Sequence, residues 1–153
     1  MKQGAVEGVR AFNRFYTGII GVLDRYLLNS AFSLPEARVL FELYHREGIL
    51  AGEIITLLGI DKGYLSRILD QLLRNKLIVR RRSARDRRSM PISLTAKGRK
   101  EFEALNLASD AQIANILVAL PEGDVDRLLQ HMDEIKKILS KGQPEGTNES
   151  KPE

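Results

Sequence analysis

The feature that most constrains the fold is the segment "LAGEIITLLGIDKGYLSRILDQLLRNKL", residues 50–77. Its apolar residues recur at intervals of three and four, first over about 51–58 and again over about 62–75, and this spacing predicts two amphipathic helices. Gly59 is suited to end the first helix and Asp61 to cap the second. Two short helices joined by such a turn indicate a helix-turn-helix motif.

The second helix of this motif has two chemically different faces. Its isoleucine and most of its leucines share one face, which we expect to pack on the rest of the protein. For Tyr64 the alternative is a side chain folded back over the core, and for Arg67 it is a solvated residue without a partner. The other face carries side chains able to reach base edges and phosphates, namely Lys62, Tyr64, Ser66, Arg67, Asp70, Gln71 and Arg74.

A dense arginine run follows the motif. "RRRSARDRRS", residues 80–89, holds six arginines and one aspartate. It separates "KLIV" (76–79) from "MPISLT" (90–95), and both flanking segments have the apolar character of short strands. The pattern predicts a β-hairpin with an arginine tip. An isolated charged hairpin is more often a solvated loop, but the position directly after a helix-turn-helix motif favours a functional wing.

The charge of the chain is segregated. Residues 62–100 contain 13 of its 24 Lys and Arg but only 2 of its 20 Asp and Glu, which gives this segment a formal charge of +11 and leaves −7 for the rest. A field divided in this way attracts a polyanion to one face. Nucleic acid is the commonest partner of that kind, and an anionic lipid surface is a weaker alternative.

Helical periodicity also covers the two ends of the chain. We expect a long first helix over about 5–29, whose aromatic residues are more often interface or core than pocket lining. Ser33 and Glu36 have the spacing of a capping box for a helix that ends near Glu47. Thr95 is suited to cap a further helix. That helix and the last one are predicted over about 96–119 and 122–140, and the Gly-, Pro- and Glu-rich tail, 142–153, is predicted to be disordered.

Several classes of protein are disfavoured. The 153 residues suit one domain, and they include no apolar run long enough for a membrane span and no leader, so we expect a cytoplasmic protein without a membrane partner. The absence of cysteine excludes disulfides, thiolate metal sites and thiol catalysis. His45 and His131 lack companions at metal-ligand spacing, and no nucleotide-binding or hydrolase motif is present. We therefore expect neither an enzyme nor a protein that needs a cofactor or a metal.

Double-stranded DNA is the polyanion that a helix-turn-helix motif fits. The major groove is roughly 12 Å wide and admits one helix, so we predict that the helix over 62–75 inserts there. Arginine paired with guanine is the commonest specific contact, which makes Arg67 and Arg74 candidates for reading sequence. The hairpin is then expected to reach the adjacent minor groove, where arginine is favoured. Asp86 is suited to hold a neighbouring guanidinium in place.

Two segments resemble the MarR family of winged-helix transcription regulators. "DRRSMPISLTAKGRKEF" (86–102) is similar to the wing and the following helix of that family, with its Asp-x-Arg element at Asp86 and Arg88 and its Leu-Thr-x-x-Gly-Arg element at 94–99. "GIDKGYLSRILDQLLRNKLIVRR" (59–81) resembles the recognition helix and the first wing strand. The opening of the chain further resembles the regulator half of proteins in which a MarR-like domain is fused to an N-acetyltransferase. No acetyltransferase follows here, so that activity is not expected.

The resemblance implies a mainly α fold with a small β-hairpin wing, in one domain over 1–141. The winged helix-turn-helix is expected over about 33–95, with helices over about 5–29 and 96–140 forming an obligate homodimer. Such a dimer binds a pseudo-palindromic operator, usually as a repressor, and often has a cavity for a small-molecule effector between its dimerisation and DNA-binding parts. The expected DNA contacts are Lys62, Tyr64, Ser66, Arg67, Arg74, Arg82, Ser83, Arg85, Asp86, Arg87 and Arg88.

The sequence departs from the family pattern at two positions. Ile55 stands where alanine is common in the first helix of the motif, and the larger side chain is expected to alter the packing angle of the helix. Lys76 stands where glycine is common after the recognition helix. If the turn needs the left-handed conformation, we expect Lys76 to adopt it with help from Asn75, at a cost of about 1 kcal/mol.

The main alternative is a protein-interaction module. In that hypothesis the chain is a winged-helix homodimer whose main partner is another protein, and its affinity for polyanions is incidental. The alternative predicts no sequence preference on DNA. A sensor that works with a separately encoded acetyltransferase is a more distant third hypothesis.

Overall fold

The chain folds into helices arranged around one small antiparallel sheet. A computed structural model describes residues 3–20, 30–81 and 90–141. The predicted fold class, mainly α with a small β-hairpin wing, is confirmed. Within the described ranges the elements are the helices α1 (Gln3–Ile19), α2 (Leu34–His45), α3 (Ala51–Leu58), α4 (Lys62–Arg74), α5 (Ala96–Val118) and α6 (Asp124–Ser140), and the strands β1 (Ile78–Arg80) and β2 (Ile92–Leu94).

The buried core lies between α2, the helix-turn-helix pair α3 and α4, the hairpin and the start of α5. Its apolar residues recur at helical spacing, so each of these helices turns one face inward. α6 supplies no buried residue, and α1 supplies none among its described side chains. The core therefore belongs to the winged-helix part of the chain. At its centre, at most 1% exposed, are Leu40, Leu43, Ile54, Leu65 and Leu69.

The start of α2 is fixed by the predicted capping box. One carboxylate oxygen of Glu36 accepts hydrogen bonds from the backbone N–H of Ser33 (2.7 Å) and from its hydroxyl (2.8 Å). The helix ends at His45, two residues before the predicted end. Arg46 leaves the helical conformation, and Gly48 then turns the chain with a φ of 74°. Glycine adopts this left-handed conformation without strain.

The two strands pair antiparallel, with Ile78 opposite Leu94 and Arg80 opposite Ile92. A third segment joins the edge of this sheet, because the backbone N–H of Ile92 donates to the carbonyl oxygen of Ile49 at 2.9 Å. This contact ties the turn between α2 and α3 to the base of the hairpin. The sequence did not predict it, since a single paired residue has no period to recognise.

Both strands are shorter than predicted. The segment predicted as the first strand began at 76, but Lys76 and Leu77 complete the end of α4 instead. The second was predicted to begin at 90. It begins at Ile92, and Pro91 before it has no N–H to give to a ladder. The hairpin base therefore holds three paired residues on each side.

The remaining predicted elements are present in part. The long first helix corresponds to α1, and residues 21–29 lie outside the described ranges, as do the predicted tail, 142–153, and the tip of the hairpin, 82–89. α6 begins at Asp124 rather than 122, because Gly123 before it has a φ of 82°. Among the described helices, none combines the length and the apolar character that a bilayer crossing needs.

Candidate nucleic-acid interface

α4 is docked on the core by one face only. Leu65, Leu69 and Leu72 are each 1% exposed, and Ile68 is 5% exposed. The carboxylate of Asp61 accepts the backbone N–H of Tyr64 at 2.9 Å, which satisfies a free donor in the first turn. Its apolar face and its N-cap thus hold α4 in place without using its outer face.

The outer face of α4 carries the five contacts that the sequence predicted on this helix. Lys62, Ser66, Arg67 and Arg74 are exposed, and Tyr64 is 38% exposed. The guanidinium carbon of Arg67 lies 5.6 Å from the centre of the Tyr64 ring, within cation–π range. Tyr64 thus supports Arg67 at the surface rather than folding over the core. Whether these side chains contact DNA stays a prediction.

The end of α4 is made by a lysine in a conformation that favours glycine. Lys76 has a φ of 58° and is the one described residue other than glycine with a positive φ. Its N–H donates to the carbonyl of Leu73, and the N–H of Leu77 donates to that of Leu72, both at 2.9 Å. These two bonds form a Schellman motif. Lys76 therefore adopts the left-handed conformation that was expected if the turn needed it.

The start of α5 is locked to the end of α4. The hydroxyl of Thr95 donates to the carbonyl of Lys76 at 2.8 Å and accepts the N–H of Gly98 at 3.0 Å. A Cβ on Gly98 would lie 2.0 Å from the carbonyl oxygen of Leu77, so only glycine fits. The ammonium of Lys97 reaches the carbonyl of Asn75 at 3.1 Å. The Leu-Thr-x-x-Gly element therefore has a structural role, the close approach of α5 to the helix-turn-helix motif.

An open groove of about 520 Å³ lies between α3, α4 and the hairpin. Its polar lining includes Lys62, Ser66 and Arg80, and its apolar lining includes Ile55. Arg80 was not among the predicted contacts, because the predicted first strand ended at Val79 and the predicted contacts of the hairpin began at Arg82. It belongs to β1 and lies directly opposite the buried Ile92, and opposed residues share one face of a sheet. Ile78 and Arg80 are two residues apart and so lie on the same face of β1, but this face could be assigned only once the strand register was known.

The hairpin tip carries six of the predicted contacts and lies outside the described residues. The contacts concerned are Arg82, Ser83, Arg85, Asp86, Arg87 and Arg88. The two ends of the tip are placed, because the N–H of Arg81 donates to the carbonyl of Pro91 at 3.2 Å. Arg81 and Pro91, on either side of the tip, are therefore neighbours at the base of the hairpin, beside the groove.

α2 and α5 are fastened together by a cluster of aromatic and charged side chains. The hydroxyl of Tyr44 donates to the carboxylate of Glu103 at 3.2 Å, and the guanidinium carbon of Arg99 lies 5.0 Å from the Tyr44 ring centre. The centre of the His45 ring lies 4.2 Å from the centre of the Phe41 ring. In the described part of the chain, no three His, Asp or Glu side chains form a group that could hold a metal ion.

The winged-helix part of the chain has known relatives. The model of the MarR family matches residues 32–89, from the cap of α2 through the arginine run. The transcriptional regulators BilQ of Clostridium symbiosum and PetP of Rhodobacter capsulatus are each 28% identical to the chain over 92 residues, or 60% of its length. The matches cover 64% of BilQ and 55% of PetP, so the chain spans less than two thirds of these curated relatives.

Likeness to solved structures extends over most of the chain. MepR of S. aureus in complex with DNA is 25% identical with a TM-score of 0.71, covering 87% of this chain and 96% of MepR. CouR bound to a 23-mer DNA duplex is 27% identical with a TM-score of 0.66, covering 89% and 92%. CouR from Rhodococcus jostii RHA1 bound to p-coumaroyl-CoA shares the fold at 19% identity and a TM-score of 0.66, covering 88% and 95%. The winged-helix part of the chain, residues 32–89, therefore matches the MarR family, and MepR and CouR, two regulators solved with DNA, are similar to most of the chain.

Proposed function

We propose that the chain is a sequence-specific DNA-binding repressor that acts as a homodimer. The observation that carries this proposal is the outer face of α4, where Lys62, Ser66, Arg67 and Arg74 are exposed while the leucine face is buried. Such a helix can enter the major groove without losing its packing on the protein. MepR and CouR, both solved with DNA, support the same use of this fold.

The hairpin tip is proposed as the minor-groove contact. The base of the hairpin borders the same groove as Lys62 and Ser66, so the tip starts beside the DNA-facing side of α4. Arginine suits a narrow minor groove because the negative potential is concentrated there. We assign insertion to Arg88 and its positioning to Asp86, with phosphate contacts from the remaining predicted residues of the tip, Arg82, Ser83, Arg85 and Arg87.

Three helices that contribute little or nothing to the core support the homodimer. α1, α5 and α6 expose large apolar side chains, from 39% for Val6 to 87% for Val118. A soluble monomer rarely leaves an apolar surface of that extent open, and a two-fold partner would cover the same face on both chains. We therefore propose one domain over 1–141, with α1, α5 and α6 as its dimerisation part. The two α4 helices would then meet half-sites about 10 bp, or roughly 34 Å, apart on a pseudo-palindromic operator.

A small-molecule effector has a candidate site between α2 and α5. A cavity of about 200 Å³ lies there, with Phe41 and Phe102 in its apolar lining and Arg38 and Asn106 in its polar lining. CouR has been solved with p-coumaroyl-CoA. We propose that a ligand in this cavity shifts α2 against α5 and so relieves repression, since α2 belongs to the DNA-binding part and α5 to the dimer. We also propose that the chain acts in the cytoplasm.

Selection of bound fragments from random double-stranded DNA tests the proposal. We expect enrichment of one pseudo-palindromic motif whose half-sites are about one duplex turn apart. A dimer that binds DNA and enriches no motif would favour the protein-interaction module instead. A motif without two-fold symmetry would contradict the homodimer while leaving DNA recognition in place.

A further inference from the structure

We infer that Asp70 reads a cytosine in the major groove and so sets part of the sequence specificity of α4. The inference rests on the proposed function. Asp70 is exposed and lies one turn after Arg67 and one turn before Arg74. Residues three and four apart on a helix share a face, so a helix that brings these arginines to DNA also brings Asp70 there.

Asp70 has no structural task among the described residues. Two acidic residues earlier in the chain do have a structural role. The carboxylate of Asp61 accepts the N–H of Tyr64 at the start of α4, and that of Glu53 accepts the N–H of Leu50 at the start of α3, at 2.8 Å. No ion pair joins Asp70 to another residue of the described ranges. Asp70 is the one acidic side chain of α4, and it is exposed.

The chemistry of a carboxylate selects the base. An ionised carboxylate accepts hydrogen bonds and donates none. In the major groove the available donors are the N4 amine of cytosine and the N6 amine of adenine. Adenine places the acceptor N7 next to its amine, which repels a carboxylate, whereas the cytosine ring has a C–H group beside its amine on the side away from the paired guanine. Asp70 is therefore matched to cytosine.

The same carboxylate also acts against wrong sequences. Asp70 is a negative charge between two arginines on a basic face, so it is repelled by phosphates that the arginines attract. On a site without a suitably placed donor, the carboxylate loses its water and gains no hydrogen bond. Asp70 thus raises the ratio of specific to non-specific affinity more than it raises affinity itself.

Selection of binding sites from random DNA with three variants tests the inference. Asp70→Asn is expected to change the preferred base at one position of each half-site from cytosine to adenine, because an amide pairs with N6 and N7 of adenine. Asp70→Ala is expected to lose the preference at that position, with discrimination reduced about tenfold. Glu47→Gln removes the same charge from an exposed position in the turn after α2 and is expected to keep the wild-type motif.

Two results would overturn the assignment of Asp70. One is a motif that stays unchanged at every position in both Asp70 variants. The other is an equal loss of affinity on all sequences, which would make Asp70 a residue that positions Arg67 or Arg74. A wild-type chain that enriches no motif at all would contradict the proposed function itself, so the two failures are distinguishable.

Discussion

At the scale of single residues, Lys76 holds a backbone conformation that its side chain disfavours, with a φ of 58°. A Cβ in the left-handed region costs about 1 kcal/mol relative to glycine. Lys76→Gly is therefore expected to raise the free energy of unfolding by about 1 kcal/mol, measured by urea denaturation at fixed protein concentration. Lys76→Ala removes the same charge and keeps the Cβ, so it should give no such gain. Equal free energies of unfolding for the two variants would contradict backbone strain at position 76.

Gly98 is constrained by space rather than by its backbone angles. Its missing Cβ allows the carbonyl of Leu77 to approach, and a methyl group would lie 2.0 Å from that oxygen. Gly98→Ala is expected to lower the free energy of unfolding by about 1–3 kcal/mol, as overpacking does, in the same urea experiment. Gly52→Ala is the matched control, because its Cβ would meet no atom within 4 Å. A loss no larger than that of the control would show that α5 can move away.

Arg67 is the residue of α4 most clearly placed to read a base, since it projects from the outer face beside Tyr64. Arg67→Ala is expected to cost about 1–3 kcal/mol of binding free energy on the selected operator and to relax one base preference. Titration of the operator and of its single-base variants measures both effects. If affinity falls equally on every sequence, Arg67 contacts a phosphate.

At the scale of elements, the wing is expected to add affinity that depends on the flanking sequence. Arg88→Ala should weaken binding most on operators with A·T-rich flanks, because the narrow minor groove there attracts arginine most strongly. Competition between operators that differ only in their flanks measures this. Arg10→Ala on α1 removes a cation outside the basic segment and is expected to leave flank preference unchanged. An equal loss on G·C-rich flanks would argue against minor-groove insertion.

The helix-turn-helix elements were predictable because each boundary has a local chemical cause. Asp61 caps α4 through one hydrogen bond, and Gly59 ends α3 with a φ of 60°. The hairpin was less predictable, since the first two residues of its predicted first strand, Lys76 and Leu77, complete the end of α4. Ile49 pairs with the sheet through long-range packing that no local pattern records. The outer face of α4 followed from periodicity alone, whereas Arg80 needed the strand register.

At the scale of the whole molecule, the segregated charge predicts strong salt dependence. If each subunit of a dimer neutralises about 4–5 phosphates, the logarithm of affinity should fall against the logarithm of salt concentration with a slope of about −8. Operator binding measured between low and moderate salt gives this slope. A value shallower than about −3 would mean that the basic segment, 62–100, is not the contact surface.

Because Thr95 and Gly98 contact the backbone at the end of α4, α5 and α4 are expected to move together as one rigid unit. α5 has 23 residues, which corresponds to about 34 Å of helix, and its first turn is hydrogen-bonded to the end of α4, the helix proposed to enter the major groove. A tilt of about 5° over that length displaces the far end by about 3 Å, close to the 3.4 Å rise of one base pair. In the proposed dimer, a small rotation at the subunit interface would therefore change the spacing between the two α4 helices by about one base pair, because α5 and α4 are held rigidly together.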